Sequence, residues 1–200
     1  MTDTADIDIE TDPRRAAIRA AAFEAFSRYG FRRTSMEDIA GAAGVSRAAL
    51  YLHYRNKQDI FRSIVQAYFT LTETRLRAVL NSGSAPGKVL SDAFAAKLGP
   101  ELAALFESPH GDELLDAHSA IAADIITAGE ARIAALLADW LRRADAAGAI
   151  TLAPFDHDAA GLANTMVAAL GGLKQPGIRY EALCAGMARL AQVFARGLRP

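Results

Sequence analysis

The stretch from Thr34 to Asp59, T-S-M-E-D-I-A-G-A-A-G-V-S-R-A-A-L-Y-L-H-Y-R-N-K-Q-D, constrains the fold more than any other part of this chain. Ser35 suits a helix N-cap, and Asp38 three residues on completes a shortened capping box. Met36, Ile39, Ala40 and Ala43 then recur at helical spacing and make the buried face of a short helix. Gly44 supplies the positive φ of a tight turn, Val45 plugs its corner, and Ser46 caps a second short helix. On that helix Ala49 and Leu50 point inward, leaving Arg47, Ala48, Tyr51 and His53 for other work, while Tyr54 is expected to pack against the first helix of the chain, the one that holds Phe26. Asn56 caps a longer helix with Lys57 in its first turn.

Upstream, Asp12 and Pro13 read as N-cap and first helical residue, and Ile18, Ala22 and Phe26 form an apolar stripe ended by Gly30. Three helix starts, at Ser35, Ser46 and Asn56, thus turn free N–H groups and partial positive charge outward, which suits a DNA phosphate. Arg47 can donate two hydrogen bonds to guanine, and Ala48 lets the helix approach closely enough to touch a thymine methyl. Tyr51, His53 and Lys57 suit phosphates, where they add affinity and register more than sequence choice. With Thr34, Ser35, Met36 and Ser46 these residues make up the expected DNA-facing set.

Charge supports that reading. The net charge of −1 hides a segregation: residues 1–12 carry five acids and no base, whereas residues 13–62 carry ten Lys or Arg against four acids. A positive block confined to the helix-turn-helix stretch is the electrostatic footprint of a polyanion site. The acidic opening M-T-D-T-A-D-I-D-I-E-T-D is expected to be disordered, and with no apolar h-region it does not read as a secretory signal. No stretch approaches the roughly 18 uncharged apolar residues of a membrane span. A single cysteine, Cys184, cannot form an internal disulfide and fits a reducing cytoplasm.

The pattern F-x-x-T-S-M-E-D-I-A-G-A-A-G-V-S-R-A-A-L-Y-x-H-Y-x-N-K resembles the DNA-binding segment of the tetracycline-repressor (TetR) family of bacterial transcription regulators, over about residues 16–62. Ala48 stands where Gly or Pro is frequent, and Tyr54 where Phe is usual. The resemblance implies a homodimer, an all-helical ligand-binding body, and release of a palindromic operator when a small, largely apolar molecule binds.

The remaining chain is alanine-rich with no alternating run, so the fold class is all-α, with about nine helices: a helix-turn-helix domain over 13–58 and a ligand-binding and dimerisation domain over 59–200. A long helix is expected from Lys57 to about Leu80, ended by N-S-G-S-A-P-G. Shorter helices follow near Lys88–Leu98 and Glu101–Glu107. A very long one runs from Asp112 to Ala147, with Gly129 marking a bend. The segments Asp158–Leu170 and Tyr180–Leu198 are apolar nearly all round and need burial on more than one side. Their stripes, Leu162, Met166, Leu170 and Leu183, Met187, Leu190, Phe194, are therefore expected to meet a second copy of the chain. The same helices could instead sit at the centre of a monomer.

A ligand pocket is expected among Tyr68, Phe69, Phe94, Phe106, His118, Ile121, Ile125 and Asn164, with His118 and Asn164 as orienting polar groups. His110, Asp112, Glu113, Asp116 and His118 cluster in sequence but offer no helical i/i+4 histidine pair or cysteine set, so no metal site is expected. No cofactor motif is present. The competing class is an all-α enzyme, or a helical ligand-binding protein, that uses the C-terminal cavity without DNA. No nucleophile or acid/base set in the sequence supports the enzyme.

Overall fold

The structure is a computed structural model that describes residues 12–175 and 177–200. Residues 1–11, most of the acidic opening, lie outside the described residues. Among the described residues there are ten α-helices and no strands. They are α1 (Pro13–Tyr29), α2 (Met36–Ala42), α3 (Arg47–His53), α4 (Lys57–Leu80), α5 (Pro86–Ala96), α6 (Pro100–Glu107), α7 (Gly111–Ile121), α8 (Ala123–Ala146), α9 (Ala159–Gly172) and α10 (Tyr180–Gly197), with a 3₁₀ turn at Ala153–Phe155. The chain divides into two compact units, each discontinuous in sequence.

The first unit runs up to Tyr68 and takes in Glu107–Ile126. Asp12 caps α1 by accepting the Arg14 N–H at 2.9 Å. One face of α1 buries Ile18, Ala22, Ala25 and Phe26. Gly30 ends the helix at φ 84° and turns Phe31 back, so that Phe26, Phe31 and Phe61 stack as a triangle with ring centroids 5.1–5.9 Å apart. Each such aromatic pair contributes about 0.5–1.5 kcal/mol beyond its area burial.

The later segment is pinned to this core by long-range bonds. Ser108 Oγ donates to the Ser27 carbonyl at 2.7 Å, and the Arg32 N–H donates to Glu113 Oε1 at 2.8 Å. Arg62 donates to the Ile121 carbonyl and, with both terminal nitrogens, to the Asp124 carboxylate at 2.6 and 2.7 Å. That guanidinium holds the Asp124 carboxyl down at about 2.

Here the structure departs from the single helix expected over Asp112–Ala147. The helix breaks at Ala122 (φ −127°, ψ 22°) without Gly or Pro. Arg62 straddles the break, taking a carbonyl from the end of α7 and a carboxylate from the start of α8. The interruption therefore has a tertiary cause, and Gly129 marks no bend. In the second unit Gly129 lies inside continuous α8, where the Phe69 ring occupies the space a β-carbon would need.

The second unit comprises Phe69–Phe106 and Thr127–Pro200. Phe69, Thr72, Leu76 and Leu80 recur on one face of α4 and are buried, as are Ile133, Leu137, Trp140 and Leu141 on α8. α10 packs principally on α5, with Phe94 edge-on to Phe194 at 6.0 Å. Tyr180 donates its hydroxyl to the Leu98 carbonyl at 2.8 Å, and Arg75 clasps Glu101 through two bonds of 3.0 and 3.1 Å. Asp158 caps α9 by accepting the Gly161 N–H. No described helix is long and apolar enough to cross a membrane.

Candidate nucleic-acid interface

Two short helices and their caps set the geometry. Ser35 Oγ accepts the Asp38 N–H at 3.2 Å, and Asp38 Oδ2 accepts from the Ser35 N–H at 2.8 Å and its hydroxyl at 2.6 Å. Those bonds, the hydroxyl one first, hold the Asp38 carboxyl below the usual carboxylate range. α2 buries Ile39 and Ala40 against α1. Gly44, at φ 65°, then reverses the chain, and Val45 N–H donates to the Ala40 carbonyl at 3.0 Å. Ser46 caps α3 by accepting from the Ala49 N–H.

Of α3, only Leu50 is fully buried. Arg47, Ala48, Tyr51 and Leu52 are exposed, a solvent-facing strip at i, i+1, i+4 and i+5. The Arg47 guanidinium lies 5.7 Å from the Tyr51 ring centre and 3.5 Å from Glu37. Bonding to Tyr51, then the Glu37 charge, raises its pKa. An exposed pair this long, screened by solvent, is worth little. Arg47 can therefore leave Glu37 for another acceptor at little cost.

The helix is held from behind by Tyr54, which is buried as expected. Its hydroxyl is 3.1 Å from Ser63 Oγ, and the Arg15 guanidinium covers its ring at 4.4 Å while donating to the His53 carbonyl. His53 Nδ1 is 3.8 Å from Asp12 Oδ2. Past the end of α3, Arg15, Tyr51, Leu52, His53, Tyr54, Arg55, Asp59 and Arg62 line an open cleft of about 510 Å³.

Two members of the expected DNA-facing set are corrected. Thr34 is 1% exposed, and its hydroxyl donates to the Gly30 carbonyl at 2.7 Å, so it locks the α1–α2 turn. Lys57 Nζ donates to the carbonyls of Phe31, Arg32 and Thr34 and sits 4.8 Å from the Phe31 ring centre. All three of its protons are committed inside the unit. Ser35 and Ser46 face out as caps, and Met36 is half-buried. Sequence reasoning passed over Leu52, Arg15 and Arg55; the available signal for Leu52 was its place one turn beyond Ala48.

The expected pocket residues fall as follows. Phe69 and Phe94 are buried and Phe106 half-buried in the second unit; Tyr68, His118, Ile121 and Ile125 are half-buried in the first. Asn164 is a correction: it stands on the exposed face of α9, not among apolar groups. The expected dimer stripes are a second correction. Leu162, Met166, Leu170, Leu183 and Met187 are at most 6% exposed within a single chain, and half-buried Phe194 packs on Phe94. Leu190 is also half-buried. These large side chains fill the chain's own core, and the outward faces mix small residues, Ala160, Ala168, Ala182 and Ala185, with Val193 and with polar groups such as Asn164, Glu181, Arg189 and Gln192. Among the described residues no three His, Cys, Asp or Glu side chains are grouped to hold a metal; His110 faces Glu113 at 3.6 Å.

Comparison with known proteins agrees with this geometry. Residues 18–64 match the model of bacterial regulatory proteins of the tetR family. The chain is 36% identical over 90 residues to the HTH-type transcriptional repressor BepR of Brucella suis, covering 44% of this chain and 43% of that one. It is 40% identical over 58 residues to the regulator TtgR of Pseudomonas putida, covering 29% and 28%. The matched stretch thus spans less than half of either relative. A transcriptional regulator from Cytophaga hutchinsonii has the same fold, with a TM-score of 0.78 at 18% identity over 94% of this chain and 100% of that one. Regulatory protein TetR from Rhodobacter sphaeroides gives 0.68 at 21% identity over 92% and 97%.

Proposed function

We propose that this chain, a tetR-family member through its N-terminal helices, is a ligand-responsive DNA-binding transcriptional regulator of the cytoplasm, acting as a repressor. The observation that carries this reading is the outward strip of α3, where Arg47, held only by a long exposed contact to Glu37 and by the Tyr51 ring, stands beside Ala48 on a helix fixed by Leu50 and Tyr54. A capped helix presenting such side chains is the element that enters a major groove, and a dimer reads two half-sites about 34–36 Å apart.

The test is enrichment of duplexes from a randomised library, followed by binding measurements on the enriched sequence. Arg47→Ala is expected to lose about 1–3 kcal/mol of discrimination at one base pair. Equal affinity of this variant for the enriched duplex and its single-base variants would remove Arg47 from the recognition set.

The second copy is expected to cover the small-residue faces of α9 and α10, around Ala160, Ala168, Ala185 and Val193, the last 63% exposed. Sedimentation of Val193→Glu measures this, and a species shifted toward monomer supports the dimer. The effector is proposed to be small and largely apolar, taken up near the aromatic groups of the second unit, Phe69, Phe94 and Phe106. A thermal-shift screen of such compounds, followed by release of the enriched duplex, tests it.

A further inference from the structure

Leu52 is 85% exposed in the last turn of α3, more than any other exposed large hydrophobic of the described chain. It lies one helical turn beyond Ala48, also exposed, so the strip carries two rows: Arg47 with Tyr51, and Ala48 with Leu52. Around it the cleft presents Arg15, His53, Arg55 and Arg62, with the Asp59 carboxylate among them, so cationic groups outnumber acidic ones. Arg55 forms no ion pair among the described residues, and the ion pair of Arg47 with Glu37 is a long one. A rim of guanidinium groups suits a polyanion. An isobutyl group in its midst has nothing to gain from phosphate. The apolar feature that DNA displays in its major groove is the C5-methyl group of thymine.

Resting on the DNA-binding reading above, we infer that Leu52 is a specificity residue that packs on the C5-methyl of one thymine in each half-site. The cationic rim supplies affinity, and the Ala48–Leu52 row supplies part of the sequence choice. Ala48, being small, lets the helix come close enough for Leu52 to reach.

The experiment uses the full chain and duplexes it enriches from a randomised library. Each thymine of the enriched half-site is replaced singly by deoxyuridine, which removes the methyl group and leaves base pairing intact. At one position the wild-type protein is expected to bind the deoxyuridine duplex roughly fourfold more weakly, the worth of one buried methyl group. Leu52→Ala is expected to bind the thymine duplex that much more weakly and to show no further loss on deoxyuridine. Leu52→Met keeps the apolar reach and is expected to retain discrimination. Arg47→Ala should still tell the two bases apart. With Leu52 so exposed, these variants are expected to fold.

Equal wild-type affinity for thymine and deoxyuridine at every position overturns the inference, as does an enriched half-site without thymine. So does a Leu52→Ala loss identical on both duplexes, which would place the side chain against deoxyribose. Failure to enrich any sequence overturns the regulator reading beneath it.

Discussion

The Nζ of Lys57 lies 2.9 Å from the carbonyl oxygen of Thr34, twenty-three residues earlier, and the carbonyls of Phe31 and Arg32 complete its set of acceptors. An ammonium with three backbone acceptors fixes the turn between α1 and α2. Hydrogen bonds to charged groups contribute about 1.5–3 kcal/mol each, less where solvent reaches them. Lys57→Met should therefore lower the unfolding free energy in urea by about 1–3 kcal/mol. It should leave the salt slope of DNA binding unchanged. A slope reduced by about 0.9 would instead mean that the ammonium exchanges its carbonyls for a phosphate.

Phe69 and Gly129 form a close helix crossing within the second unit. Gly129→Ala should drive a methyl into the ring and destabilise the fold by about 1–3 kcal/mol, despite alanine's better helix propensity. Phe69→Leu in the same chain should recover part of that loss. A double-mutant cycle by urea denaturation measures the coupling, and additive losses would refute the contact.

Lys97 is 3% exposed, and burial, reinforced by the like charge of Lys174, brings its pKa down from 10.5 to about 8. Between these values the unfolded chain binds more protons than the folded one, so stability rises with pH through that window. Below about 8 both states are protonated and the penalty of burying the ammonium is fully present. Lys97→Met should be the more stable protein at neutral pH, by up to about 3 kcal/mol. That advantage should shrink as pH climbs from 8 toward 10.5. A difference independent of pH would refute the assignment.

Asp124 shows the opposite sign. Its carboxyl sits at about 2 in the folded chain against 3.8 for the free side chain, chiefly through the bonds from Arg62. The stabilisation is complete above about pH 4 and fades as pH falls toward 2. Melting curves of Asp124→Asn across that range should show a shallower acid limb than the unsubstituted chain.

Elements governed by local chemistry were legible in the sequence. The Ser35 and Ser46 caps, the Gly44 turn and the ends of α4 at Lys57 and Leu80 each follow from a few adjacent residues. Tertiary partners decided the rest. Lys57 and Thr34 are polar residues close in sequence to α3, and only the path of the Gly30–Thr34 turn shows that both are consumed by carbonyls. The break at Ala122 depends on Arg62, about sixty residues away. The large stripe of α10 points into its own chain because α5 packs there, a partner that periodicity cannot identify. Leu52 was passed over because exposure of an apolar side chain is invisible to a pattern that sorts residues by hydrophobicity.

Glu113 reaches Arg32, and Ser108 reaches Ser27, across eighty-one positions of sequence. A chimera that grafts the first sixty-odd residues onto a foreign body would sever both bonds and the Arg62 fork together. Transplanting the first unit intact therefore requires carrying Glu107–Ile126 with it as a second insert.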